Sequence, residues 1–207
     1  ALGVDIGGSH ITAALVDLET RTIIQDTIRR SAVDSKESKE VILSAWCEVI
    51  SKAFKKSTAT TKLIGIAMPG PFDYEKGISL IKDQDKFNAL YGVNIKEELS
   101  QRVNVEIENI HFINDAAGFL QGEVFGGAAR GNANVLGLTL GTGLGSSYCI
   151  GGIAKDADLW NSEFMNGIAE DYLSTRWFVG RYNQLSGVEV AGVKELTTLA
   201  ATDHNSI

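Results

Sequence analysis

Apolar and polar residues follow two rhythms along this chain, and each change of rhythm marks an element. Residues 2–6 (Leu-Gly-Val-Asp-Ile) and 11–17 (Ile-Thr-Ala-Ala-Leu-Val-Asp) are short apolar runs that predict strands, and residues 21–30 predict a third. The turn residues Gly7-Gly8 and those at 17–20 join the three into an antiparallel meander. The period then lengthens. Over 38–55, Val41, Ile42, Ala45, Trp46, Val49, Ile50, Ala53 and Phe54 recur at helical spacing and form one wide apolar stripe. Residues 63–68 return to a fully apolar run, predicting a buried strand stopped by Pro69-Gly70-Pro71, which holds the chain's 2 prolines. The first half therefore reads β-β-β-α-β, a unit with an antiparallel edge and a crossover helix.

Asn94-Ile-Lys-Glu97 has the spacing of a helix cap, so 95–102 predicts a short helix. Residues 107–113 predict a strand ending in Asn114-Asp115, and 116–125 a helix. Residues 134–140 are again an apolar strand, 141–145 a glycine turn and 146–150 a strand. Past Gly152 the pattern is helical over 168–184 and 193–201. Strand, glycine turn, strand thus occurs once in each half, an internal repeat that points to two related lobes around a cleft. No low-complexity linker separates them, which places the boundary at a hinge near Asp115, between residues 1–115 and 116–207.

Composition narrows the classes. The chain has 207 residues, 44% of them hydrophobic and 22% charged, enough for a sizeable core. A net charge of −7 with no basic face speaks against nucleic acid as a partner; Lys52, Lys55 and Lys56 read as the polar end of a helix. No run approaches the roughly 20 apolar residues of a membrane span, and residues 1–6 are too short for the apolar core of a leader. Cys47 and Cys149 are the 2 cysteines, too few for a disulfide framework or a zinc site and suited to a reducing cytoplasm.

The candidate chemistry lies at the turns. Asp5-Ile-Gly-Gly-Ser-His10 and Leu140-Gly-Thr-Gly-Leu-Gly145 each follow an apolar strand, and glycine lets backbone N–H groups approach a bound anion. Together they suggest two phosphate clamps on one nucleotide. Asp5, at a strand's carboxyl end, either caps its turn or holds Mg²⁺ beside the phosphates. Asn114-Asp115 is either a plain helix cap or a catalytic pair, Asp115 taking the proton of an attacking hydroxyl while Asn114 positions the acceptor. Thr142 either shapes its turn or bonds a phosphate oxygen. Glu163 and Glu170 are either a solvated acidic face, which their spacing favours, or acceptors for sugar hydroxyls. His10, His111 and His204 have no ligand-like spacing and take no metal role.

In this order and spacing, Gly3-Val-Asp-Ile-Gly-Gly-Ser9, Gly65-Ile-Ala-Met-Pro-Gly-Pro71, Ile113-Asn-Asp-Ala-Ala117 and Leu138-Thr-Leu-Gly-Thr-Gly-Leu-Gly145 resemble the ROK family (repressor, open reading frame, kinase) of the actin/hexokinase/Hsp70 ATPase superfamily. Residues 91–99 and 170–174 match more loosely. The resemblance implies an α/β, two-lobed, actin-like (ribonuclease H-like) fold in which ATP and a hexose or N-acetylhexosamine meet in the cleft. It makes Asp115 the general base and puts Asn114 and Gly70 against the sugar. Asp5 assists Mg²⁺, and Gly7, Gly8, Ser9, His10, Gly141, Thr142 and Gly143 take the phosphates.

Two departures qualify it. The family's Gly-Glu-x-Gly-His segment is Ser162-Glu-Phe-Met-Asn166 here, so Glu163 is kept while Asn166 replaces the sugar-binding His. The cysteine-rich zinc loop that usually follows is missing, and Glu170 takes the remaining sugar-ligand place. Family members also continue past this length with a late glycine-rich adenosine segment, so the second lobe is expected to be incomplete. Homodimers are frequent in the family. The leading expectation is an ATP-dependent, glucokinase-like sugar kinase. The alternative is a catalytically weak ROK-type sugar-binding regulator without a DNA-binding domain. An actin/Hsp70-like ATPase would need no sugar, and the Asn-Asp pair weighs against it.

Overall fold

A computed structural model describes residues 1–57, 61–84 and 86–202, with the side chains of 201 and 202 set aside. In chain order the elements are β1 (Leu2–Ile6), β2 (His10–Asp17), β3 (Thr22–Ile23), β4 (Arg29–Ala32), α1 (Lys39–Phe54), β5 (Ile64–Met68), β6 (Phe72–Asp73), β7 (Ile78–Ser79), α2 (Ile95–Val103), β8 (Ile110–Asn114) and α3 (Asp115–Gly126). There follow β9 (Asn134–Leu140), β10 (Leu144–Ile150), β11 (Ile153–Asp156), β12 (Glu163–Phe164), β13 (Gly167–Ile168), α4 (Ala169–Tyr172), α5 (Thr175–Ser186) and α6 (Val193–Thr202). His204 lies outside the described residues.

The first sheet has the order β3-β2-β1-β5-β8, with β4 also paired to β2. β1 and β2 form an antiparallel hairpin, whereas β1–β5 and β5–β8 are parallel, Asp5 lying opposite Ala67 and Met68 opposite Asn114. Parallel neighbours end at the same edge, so the carboxyl ends of β1, β5 and β8 lie side by side. Strand alternation sends Val4, Ile6, Ile64, Ile66 and Ile110 to one face, where they are buried with Ile42, Leu43, Trp46 and Ile50 of α1. Ser38 starts α1 by accepting the Val41 N–H, and Asn94 starts α2 by accepting the Glu97 N–H, as the cap spacing predicts.

α3 packs on the opposite face. A Cβ on Gly118 would lie 2.9 Å from the Ala67 Cβ and 3.2 Å from Ile113 Cγ2, so the missing side chain sets how closely α3 lies on β5 and β8. The other flank of α3 meets the second sheet, an antiparallel β11-β10-β9. Small residues make that contact possible: a Cβ on Gly137 would stand 3.2 Å from Leu120, and one on Gly145 3.1 Å from the Ala116 Cβ. One helix thereby joins both sheets.

Two expectations need correction. Residues 21–30 are not one strand but β3 and β4 separated by a 3₁₀ turn, Gln25–Thr27. Thr27 breaks the run: its buried hydroxyl accepts the Leu15 N–H at 2.9 Å and donates to the Ile24 carbonyl at 2.6 Å, replacing a ladder bond. Nor is 168–184 one helix. Ile168 ends β13, and α4 and α5 are separated at Leu173-Ser174, where the Thr175 N–H donates to the Gly141 carbonyl at 2.9 Å. A tertiary bond to the second glycine turn is made at that break.

Candidate active site at the edge of the first sheet

Three segments are drawn toward one another by the parallel edge and by α3. The first is the β1–β2 turn. Its Gly7 N–H donates to the His10 carbonyl at 2.9 Å, and the Val33 N–H donates to the Ser9 carbonyl at 2.9 Å. Ser9 Oγ and His10 Nδ1 are 2.9 Å apart. The Lys86 side chain crosses the turn, its Cδ 3.6 Å from where a Gly8 Cβ would be.

The second is the β9–β10 turn, in which the Gly141 N–H donates to the Gly143 carbonyl at 3.0 Å. Glu170 Oε2 accepts the Leu144 N–H at 3.0 Å and would be 2.4 Å from a Gly143 Cβ, while its Oε1 lies 3.6 Å from Arg176. Glu170 therefore braces this turn, and glycine at 143 leaves the space its carboxylate occupies. No described acceptor takes the N–H of Gly8, Ser9, Thr142 or Gly143. These four donors suit an anion such as a phosphate.

The third is the β8–α3 junction. Asn114 Oδ1 accepts the Ala117 N–H at 3.1 Å and Asp115 Oδ1 accepts the Ala116 N–H at 2.9 Å. The pair is thus a helix cap, and the same bonds fix both side chains at the edge. Asp115 lies close enough to raise the carboxyl of Asp5: burial pushes that group up from its ordinary 3.8, the Asp115 charge adds to the rise, and Arg30 on β4 partly offsets it. Ala116, the next residue, touches β10 just past the second turn. Asp115 thereby stands between the residue that opens the first turn and the strand that leaves the second. A half-buried carboxyl whose charged form is disfavoured, as at Asp5, suits a Mg²⁺ ion that takes one carboxylate and completes its shell with phosphate and water. No cluster of three or more metal-binding side chains occurs among the described residues.

Sequence reasoning missed Tyr74. Its hydroxyl donates to the Met68 carbonyl at 3.1 Å and accepts from Asn114 Nδ2 at 3.4 Å. Burial pushes its pKa up to about 12, with the Asp115 and Asp156 charges adding to the rise against the Asn114 bond. Asp156, at the end of β11, acts on that hydroxyl through its charge alone, its Oδ1 accepting the Asp158 N–H. Gly70 borders the same hydroxyl, since a Cβ there would lie 3.3 Å from it. Tyr74 belongs to the β6–β7 hairpin, whose two-residue strands carry too little periodicity to be seen in the sequence. Lys86 lies past β7 outside any helix or strand, where there is no period to read.

Glu163 and Asn166 stand apart. Both are exposed on the β12–β13 hairpin, Asn166 at its tip, and no hydrogen bond or ion pair among the described residues joins either to Asn114 or Asp115. A row of ring contacts from Phe164 through Tyr172 to Trp177 attaches the hairpin to α4 and α5.

The fold is that of the actin-like sugar kinases, and the ROK family model matches residues 1–157. The chain belongs to the ROK family. It is 32% identical over 144 residues to the glucokinase of Thermotoga maritima, covering 70% of this chain and 42% of that protein. It is 30% identical over 150 residues to the N-acetylgalactosamine kinase AgaK of a Shewanella species, covering 72% and 45%. Among solved structures, the ROK glucokinase of Streptomyces griseus in complex with glucose and AMPPNP superimposes with a TM-score of 0.68 at 26% identity, covering 89% of this chain and 60% of that one. The chain spans less than half the length of the two kinases it matches in sequence.

Proposed function

We propose that this chain is the catalytic part of an ATP-dependent sugar kinase acting on a hexose or N-acetylhexosamine. The observation that supports the reading is the bond that fixes Asp115 to the Ala116 N–H, with Ala116 against Gly145 and the Asp115 charge felt at Asp5. Asp115 takes the proton of the attacking sugar hydroxyl, whose oxygen bonds to the γ-phosphorus as the bond to ADP breaks. Asn114 and the Gly70 turn orient the sugar; Glu163 and Asn166 on the β12–β13 hairpin join them when the lobes close, and Glu170 keeps the second glycine turn in shape beside it. The N–H groups of Gly8, Ser9, Thr142 and Gly143 hold phosphate oxygens, with Gly7, His10 and Gly141 shaping their turns. Asp5 would hold Mg²⁺, directly or through water, and the ion when bound neutralises phosphate charge. Residues 1–115 and 116–207 act as the two lobes, and their closure keeps water from competing with the sugar.

A coupled ADP-release assay with glucose, mannose, N-acetylglucosamine and N-acetylgalactosamine tests this. Turnover on one of them is expected, and Asp115→Ala should lower kcat by about 10²–10⁴-fold while keeping the sugar-induced rise in melting temperature. Retained turnover in that variant contradicts the assignment. Sugar-induced stabilisation of the wild type without turnover would favour the sensor reading instead.

A further inference from the structure

Asn114 has one carboxamide and two tasks. Its oxygen is committed to the start of α3 through the Ala117 N–H at 3.1 Å. A carboxamide has two N–H groups, and one of them points at the Tyr74 hydroxyl at 3.4 Å. That hydroxyl is not free to rotate away, because its own proton is given to the Met68 carbonyl at 3.1 Å. Met68 ends β5 directly before Pro69-Gly70, and Gly70 itself borders the hydroxyl. The Tyr74 ring is held by Phe72, at a centroid distance of 5.3 Å, and Phe72 in turn by Phe112 of β8, at 5.0 Å. A single hydroxyl therefore ties the Gly70 turn to the Asn114 cap.

We propose that Tyr74 is a positioning residue of the sugar site: its hydroxyl holds the Asn114 carboxamide in one rotamer and leaves a single N–H to donate to a hydroxyl or N-acetyl oxygen of the ligand. This rests on the sugar-kinase reading of the same site. Without the hydroxyl, the Asn114 amide keeps its cap to α3 but loses its second anchor. The donor then spends part of its time out of register with the ligand. The Gly70 turn loses its tie to β8 at the same time.

Tyr74→Phe keeps the ring and its stacking and removes only the hydroxyl. The test compares wild type, Tyr74→Phe, Asn114→Ala and the double variant, using glucose and N-acetylglucosamine as probes. Tyr74→Phe should raise the sugar KM about 5–20-fold with the ATP KM within about twofold, the scale of one lost hydrogen bond. In the Asn114→Ala background the same change should have no further effect, because the two residues act as one unit. A sugar KM in Tyr74→Phe within about twofold of wild type, with only the melting temperature lowered, would make the hydroxyl a purely structural group and overturn the proposal. A second readout needs no turnover. The Asn114 side-chain amide resonances, identified by their loss in Asn114→Ala, should shift in Tyr74→Phe of the ligand-free protein. Unmoved resonances overturn the positioning role, whereas a shift in a protein that turns over none of the sugars rejects the kinase reading and keeps the tether.

Discussion

Asp5 sits where its own ionisation is disfavoured. Burial and the Asp115 charge raise its carboxyl above 3.8, so the folded protein binds that proton more tightly than the unfolded chain does. The cost to the fold is fully present above the raised value, fades as the pH falls through it, and vanishes well below 3.8, where both states are protonated. Asp5→Asn should therefore raise the melting temperature at pH 7 by about 1–3 °C, a gain that shrinks as the pH falls through the raised value, while phosphotransfer is lost. Differential scanning calorimetry between pH 3.5 and 7 checks it, and a gain that persists at pH 3.5 would point to packing. The sequence shows Asp5 before a glycine turn, and it shows Asn114-Asp115 before a helix. It does not show that the two acids come to one sheet edge, because that neighbourhood is made by β5 lying between β1 and β8.

Elements with a repeating period were legible, and elements set by a single tertiary bond were not. α1 has apolar residues at helical spacing and a Ser38 cap, and it appears within a residue of its expected ends. The β1–β2 and β9–β10 hairpins appear on either side of their glycine turns as the repeat predicts. The run at 21–30 failed because one buried hydroxyl, Thr27, outweighs a weak strand pattern, and the helix at 168–184 failed where Thr175 bonds to Gly141. The β6–β7 hairpin escaped notice because two residues per strand carry no period. α3 joins the sheets through Gly118, and this makes a direct prediction. Gly118→Val would drive two methyl groups into Ala67 and Ile113 and should cost about 1–3 kcal/mol in urea unfolding. A change below about 0.5 kcal/mol would mean that α3 is free to lift from β5.

For the molecule as a whole, the two sheets are finished to different degrees. The first has α1 and α2 on one face and α3 on the other. The second gives one face to α3, while the other carries Leu136, Leu138, Leu140, Tyr148, Ile150 and Ile153, of which Leu136, Ile150 and Ile153 are more than 60% exposed. Among the described residues no helix is long and apolar enough to cross a membrane. A contiguous apolar face of this kind binds small hydrophobic probes. The native protein should therefore enhance the emission of an anilinonaphthalene dye. Leu136→Thr with Leu138→Thr should abolish most of that signal while changing stability by less than about 1 kcal/mol. Loss of folding in the double variant would show that the face is covered in solution.

The amino-acid order by itself determined the strands and helices with a clear period, the cap at Asn94, the paired glycine turns and the membership in an α/β family, because each is written in neighbours along the chain. Only the tertiary structure decided that Asp5 and Asp115 share one edge, that Glu170 braces a turn and that Tyr74 anchors Asn114. Those contacts join residues far apart in sequence, and a parallel sheet must first bring its strand ends together before any of them can form.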